Sequence, residues 1–136
     1  MARENLEPDQ AAVVPVRRTA GDLEVCLIRR HGLRRWGIPK GFVDDADTPA
    51  QAALTEAREE AGLIGRIDGS SVGTYEYSKG GDRLIVAVYV MRVTDALPVW
   101  EEMDRRERRW MTLAEAARQL ERHPVGSLWD RISPRL

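Results

Sequence analysis

Cysteine, phenylalanine and lysine are all scarce in this 136-residue chain: one, one and two residues. A lone cysteine, Cys26, excludes an internal disulfide and any cysteine-built metal site. Long apolar runs are missing too. The longest, Leu84 to Met91, falls far short of the ~20 residues that a membrane helix needs. The polar opening MARENLEPDQ does not read as a signal peptide. These absences lead to the expectation of a soluble, cytoplasmic protein with no membrane partner. Charge of one sign is also lacking: 21 basic side chains meet 22 acidic ones, for a formal net charge of −1. That balance excludes both a wholesale basic nucleic-acid binder and an acidic disordered chain. Because only Lys40 and Lys79 among the 21 basic residues are lysine, each stands where the habit of this chain would have supplied arginine.

What is present is ordinary for a globular protein: 43% hydrophobic and 32% charged residues, in a length that favours one domain. The expectation is a single domain over residues 1–136, with 1–10 a flexible lead. Ala11 to Arg18 and Leu23 to Arg30 are rich in β-formers and read as strands about the turn Ala20-Gly21-Asp22. Residues 31–47, with repeated Gly, Pro and Asp, predict a loop. Thr48-Pro49-Ala50-Gln51 reads as a capping box and Gly62 as a left-handed terminator, which predicts a helix over 49–61. Residues 64–79 and 83–94 predict further strands. Thr112-Leu113-Ala114-Glu115 opens a second capping box, for a helix ending before Pro124, and a short helical turn follows from Ser127. The mixed-charge run from Glu101 to Arg109 reads as a solvated loop.

On the first helix Glu56, Glu59 and Glu60 fall within an arc of ~100°, and they are expected on an exposed edge opposite Ala50, Ala53, Leu54, Ala57 and Ala61. Like charges at this spacing repel, and Arg58 is the nearest offset in sequence. A hard divalent ion would relieve the repulsion, because Mg²⁺ takes oxygen ligands from carboxylates and phosphates. On the glutamates alone, a solvated acidic face is the stronger alternative.

The context changes this balance. Residues 36–63, WGIPKGFVDDADTPAQAALTEAREEAGL, resemble the Nudix box, G-x5-E-x7-R-E-U-x-E-E-x-G-U with U aliphatic. Gly41, Glu56, Ala57, Glu59, Glu60, Gly62 and Leu63 fall on that pattern. Trp36 to Gly41 is similar to the W-x-x-P-x-G entry of the subfamily acting on diphosphoinositol polyphosphates and diadenosine polyphosphates. Looser similarity to that subfamily's last strands and C-terminal helix extends from Tyr89 to Ala116, through Val93-Thr94, Trp100-Glu101, Arg109-Trp110 and Glu115-Ala116. The resemblance implies an α/β Nudix fold, a mixed β-sheet in an α/β/α sandwich, and a metal-dependent pyrophosphohydrolase. It implies that Glu56, Glu59 and Glu60, with the backbone carbonyl of Lys40, hold Mg²⁺ or Mn²⁺. Glu56 and Glu59 are then the candidate bases, and Glu101, Glu102 or Glu107 could add a ligand or base. Two positions depart from the pattern: Asp47 replaces the box glutamate and Thr55 the box arginine, which in relatives is thought to pair with that glutamate and a catalytic one. Arg58 is the nearest sequence candidate to stand in.

From Arg17 to Lys40 the local net charge is +5, against −6 for the remainder, a divided field that would draw a polyphosphorylated small molecule. Arg34, Arg35 and Lys40, nearest the box, lead the substrate-binding candidates, with Arg17 also in the segment. Arg83 and Arg109 follow from the subfamily resemblance. Cys26, His31, His123 and the four tryptophans read as structural or surface residues, although Trp36, Tyr75 and Tyr77 could flank a base. Asp44, Asp45 and Asp47 lack the spacing of a calcium loop. Two other functions stay open: a non-catalytic nucleotide sensor of the same fold, and a 5′-end RNA pyrophosphohydrolase, for which no single-strand contacts are identifiable. A monomer or a homodimer would suit any of them.

Overall fold

The computed structural model describes residues 7–136. The first six residues of the expected flexible lead lie outside the described residues, and the rest of it is anchored rather than free. The Asp9 N–H donates to the Ile85 carbonyl at 2.8 Å, and its side chain accepts from the Ile85 N–H at 2.8 Å. Gln10 already belongs to the first strand and is 3% exposed.

The elements run β1 (Gln10–Thr19), β2 (Asp22–Arg30), β3 (Lys40–Phe42), α1 (Pro49–Ala61), β4 (Leu63–Ile67), β5 (Gly73–Lys79), β6 (Asp82–Ala96), β7 (Arg106–Thr112), α2 (Leu113–Gln119) and α3 (Trp129–Ile132), with a 3₁₀ turn at Pro124–Leu128 before α3. All seven strands join one mixed sheet in the order β4-β6-β1-β2-β7, with β3 on β1 and β5 on β6. Among the described residues only β1 and β6 pair in parallel, with Gln10 opposite Val86 and Val16 opposite Arg92. The outer side of β6 carries β5 along its first half and β4 along its second. β1 divides its other side between β3 and β2.

Period-two alternation sorts the side chains into two cores. Val14, Val16, Val25, Leu27, Val86 and Val88 face α2 and the C-terminal turns, where Ala116, Leu120, Val125 and Ile132 close the layer. Ala11, Val13, Cys26, Ile28 and Met91 face α1, which meets them with Ala52, Ala53, Ala57 and Ala61. The architecture is thus the expected α/β/α sandwich. No helix among the described residues is long and apolar enough to cross a membrane.

Four readings change. The expected loop over 31–47 contains a short strand, because Lys40–Phe42 pairs with β1. The stretch from 64 to 79 is two strands, because residues 68–72 leave the ladder. Arg106 to Arg109 is not solvated loop: β7 begins at Arg106 and pairs with β2 along seven positions, Arg30↔Arg106 to Glu24↔Thr112. Its charged side chains hide it from a hydropathy pattern because they are answered by partners, Arg29 by Glu107 at 2.6 Å among them. Finally, the buried stripe of α1 is Ala52, Ala53, Ala57, Glu60 and Ala61, so it takes in one of the glutamates and leaves Ala50 and Leu54 only half-buried.

Candidate active site

The platform of the site is the last turn of α1. The helix starts as predicted: Thr48 Oγ1 accepts from the Gln51 N–H at 3.2 Å and Gln51 Oε1 accepts from the Thr48 N–H at 2.9 Å, with Pro49 first in the helix. It stops at Gly62, whose φ of 66° is left-handed and suits glycine. The carbonyls left open there are taken by the segment around β7. Glu102 N–H donates to the Glu59 carbonyl at 3.1 Å, and Trp100 Nε1 to that of Glu60 at 3.1 Å. The Arg108 guanidinium donates to the Ala61 carbonyl at 2.7 Å and to that of Leu97 at 2.6 Å. The carboxylate-bearing turn is therefore clamped through its backbone.

Against this turn lies β3. A Cβ on Gly41 would sit 2.3 Å from Glu56 Cδ, so only glycine lets the Glu56 carboxyl rest on the strand. The Lys40 N–H donates to Glu60 Oε1 at 3.3 Å, which ties β3 to the glutamate turn. Glu60 is 8% exposed, not on an open edge as expected. Burial holds its carboxyl up at about 8, helped by Glu56 and opposed by Arg106. Burial likewise raises Glu56, with Glu59 and Glu102 nearby adding to the shift. On the far side, oxygens of Glu59, Glu101 and Glu102 lie within 4.8 Å of one another.

Gln10, Arg30, Lys40, Gly41, Phe42, Asp44, Glu56, Glu60, Lys79 and Arg106 line a cleft of about 580 Å³. Both lysines of the chain are in it. Lys40 Nζ donates to the Tyr77 hydroxyl at 3.0 Å, which donates to Gln10 Oε1 at 2.7 Å. Arg30 and Arg106 are directly opposed across β2 and β7, a like-charge pairing that destabilises a sheet unless an anion answers it, as Glu102 does here at 2.8 Å. The donor set suits a hard divalent ion: carboxylate oxygens crowded together, with a glycine cradle that brings Glu56 against the strand.

Of the expected residues, Lys40, Glu56 and Glu60 meet in this cleft, and Glu59 stands beside it with Glu101 and Glu102. The arginines go elsewhere. Arg34 and Arg35 are exposed on the loop, and Arg35 lines a separate pocket with Arg118, Arg122 and His123. Arg17 lies at the other end of β1, bonded to Glu24 at 2.9 Å and stacked 3.8 Å over Trp110. Arg83 pairs with Glu76 at 2.9 Å. Arg109 and Arg29 cover the ring of Trp36 at 5.0 and 4.3 Å, so this buried tryptophan has no open face for a base. Glu107 answers Arg29 rather than the cleft. His123 accepts from the Val125 N–H through Nδ1 at 3.0 Å, and burial holds it neutral, down to about 4; it is a capping residue. Lys79, Arg30 and Arg106 are not among the substrate-binding residues expected from the sequence. The scarcity that drew attention to Lys40 applies equally to Lys79, whereas the arginines become visible only through strand register.

Comparison with known proteins agrees with this arrangement. Residues 7–128 match the model of the NUDIX domain. The chain is 30% identical over 104 residues to Nudix hydrolase 13, mitochondrial, of Arabidopsis thaliana, covering 69% of this chain and 52% of that protein. It is 33% identical over 91 residues to human diphosphoinositol polyphosphate phosphohydrolase 3-alpha, covering 65% and 54%. The chain thus spans about half the length of these curated relatives. A solved C. elegans Ap4A hydrolase complex superposes with a TM-score of 0.74 at 25% identity, over 94% of this chain and 96% of the other. A motif met at seven positions, a fold shared end to end and a family model covering most of the sequence have one reading: this chain belongs to the Nudix family.

Proposed function

We propose that the protein is a metal-dependent pyrophosphohydrolase that cleaves a phosphoanhydride in a highly anionic nucleotide or inositol polyphosphate, of the diadenosine polyphosphate or diphosphoinositol polyphosphate kind. The observation that carries this reading is the convergence of the only two lysines and of Arg30 on the cleft walled by Glu56 and Glu60. Cations for phosphate and carboxylates for a metal thus share one space. The similarity to an Ap4A hydrolase and to a diphosphoinositol polyphosphate phosphohydrolase supports the substrate class.

Glu56, Glu59 and Glu60 would hold Mg²⁺ or Mn²⁺, with Glu101 and Glu102 within reach on the Glu59 side. Such an ion, when bound, neutralises phosphate charge and lowers the pKa of a water. The remaining work falls to the chain itself. Lys40, held by Tyr77, and Lys79 bind phosphate oxygens as point charges and bring the anhydride to the glutamates. Glu56, fixed against Gly41, or Glu59 accepts a proton from the attacking water.

Lys40→Gln and Lys79→Gln should each raise KM about 10-fold or more, with a smaller fall in kcat, if these ammonium groups bind ground-state phosphate. Steady-state kinetics on a panel of ADP-ribose, diadenosine polyphosphates and diphosphoinositol polyphosphates, with product analysis, tests the substrate class. The best substrate is expected to carry at least three phosphates. ADP-ribose as clearly the best substrate would overturn the class, and tight binding of the whole panel without turnover would favour a sensor.

A further inference from the structure

The missing box arginine leaves a question of support. Thr55 lies in a groove with Leu54, Arg58, Leu63 and Met91, while Asp47 lines a different cleft with Phe42, Val43 and Pro49. No side-chain hydrogen bond joins the two among the described residues. Arg58, the nearest candidate in sequence, is exposed and lies on the Thr55 side.

A guanidinium does reach the glutamates, from another element. Arg106 opens β7, where its side chain is only one-fifth exposed. Its Nε donates to Glu102 Oε1 at 2.8 Å, and its terminal nitrogen stands 3.7 Å from Glu60 Oε2. The backbone repeats the connection: Arg106 N–H donates to the Glu102 carbonyl at 2.9 Å, and Glu102 N–H to the Glu59 carbonyl at 3.1 Å. Arg106 therefore stands between the two carboxylate groups of the site, Glu56 with Glu60 and Glu59 with Glu101 and Glu102. A planar fork can serve both, where a lysine offers a single point charge. Arg105 also pairs with Glu102, at 3.6 Å, but is 64% exposed and so holds it weakly.

We propose that Arg106 is a positioning residue that takes over the task of the absent box arginine, holding Glu60 and Glu102 at the spacing the metal requires without itself binding metal or substrate. The proposal rests on the metal-dependent reading above, and its test reads metal binding separately from turnover. Mn²⁺ is titrated into the full chain and the free ion followed by electron paramagnetic resonance, with folding checked by circular dichroism. Arg106→Gln should weaken Mn²⁺ binding about 10- to 100-fold, the scale for partners that orient metal ligands. Arg106→Lys should fall between it and wild type, and Arg58→Gln should match wild type. The loss in hydrolysis should appear in kcat, with KM little changed. Removing positive charge acts in the opposite direction, drawing a cation in more tightly. Unchanged or tighter Mn²⁺ binding in Arg106→Gln would overturn the proposal, and so would a loss confined to KM, which would make Arg106 a phosphate ligand. Should Arg106→Gln fail to fold, Arg106→Lys decides the matter: wild-type Mn²⁺ affinity there would overturn it. If wild type hydrolyses no phosphoanhydride, the functional reading falls while the Mn²⁺ series still tests Arg106.

Discussion

Gly41 shows how far one residue governs the site. A methyl group there would overlap Glu56, and with β3 paired to β1 the carboxylate, at the free end of a flexible side chain, is what must move. Gly41→Ala should leave the fold intact and lower kcat about 100-fold, the scale of an ångström's misplacement at a reacting centre; circular dichroism with steady-state kinetics checks both halves. Glu60 makes a prediction about pH. Its carboxyl is held at about 8, against an ordinary 4.5, so across that window the folded chain keeps a proton that the unfolded chain has lost. Stability therefore falls as pH rises from about 4.5 to about 8. Thermal melts in EDTA between pH 5 and 8.5 should show Tm decreasing in wild type and a flatter dependence in Glu60→Gln. The motif spacing made Glu56, Glu59 and Glu60 legible as a group, but not their environments, because a helical wheel assigns angles and the burial of Glu60 depends on what β3 and β7 lay over it.

At the level of elements, what was readable was local. The ends of α1 were recovered at Pro49 and Ala61 because the capping box and the glycine stop use residues adjacent in sequence. In α2 the Thr112 hydroxyl does accept from the Glu115 N–H at 3.1 Å, but the Glu115 side chain turns to Arg118 and Gln119 instead of closing the box. The residues themselves hide β7, because its pairing with β2 joins positions about eighty apart and its alternation is written in ion pairs and cation–π stacks, not apolar side chains. Thr48→Ala removes one half of the box at the start of α1 and should cost about 1 kcal/mol of stability. Since the glutamate turn is clamped at the other end by Trp100, Glu102 and Arg108, kcat should stay near wild type while the protein remains folded. Denaturant unfolding beside kinetics checks this; a large loss of kcat in the folded variant would show that the start of the helix also sets the site.

Over the whole molecule, the sheet redistributes the charge that the sequence concentrates. The +5 segment from Arg17 to Lys40 is dispersed: Arg17 goes to one end of β1, Arg29 to the Trp36 stack, Arg34 and Arg35 to an exposed loop, and only Arg30 and Lys40 to the cleft. Lys79 joins them from the β5–β6 hairpin, so the cationic wall is a product of long-range register that no local window contains. The carboxylate wall, by contrast, comes mainly from one helix turn and was legible for that reason. The central claim is that these two walls form one metal-dependent hydrolytic site. The most direct test is multiple-turnover release of product from a diadenosine polyphosphate, in Mg²⁺ and in EDTA, by wild type, Glu59→Gln and Glu60→Gln, each shown to be folded by circular dichroism. Turnover should require the metal and fall at least about 100-fold in both variants, since each loses a charged ligand at constant size; turnover in EDTA, or undiminished turnover in both folded variants, would contradict the account.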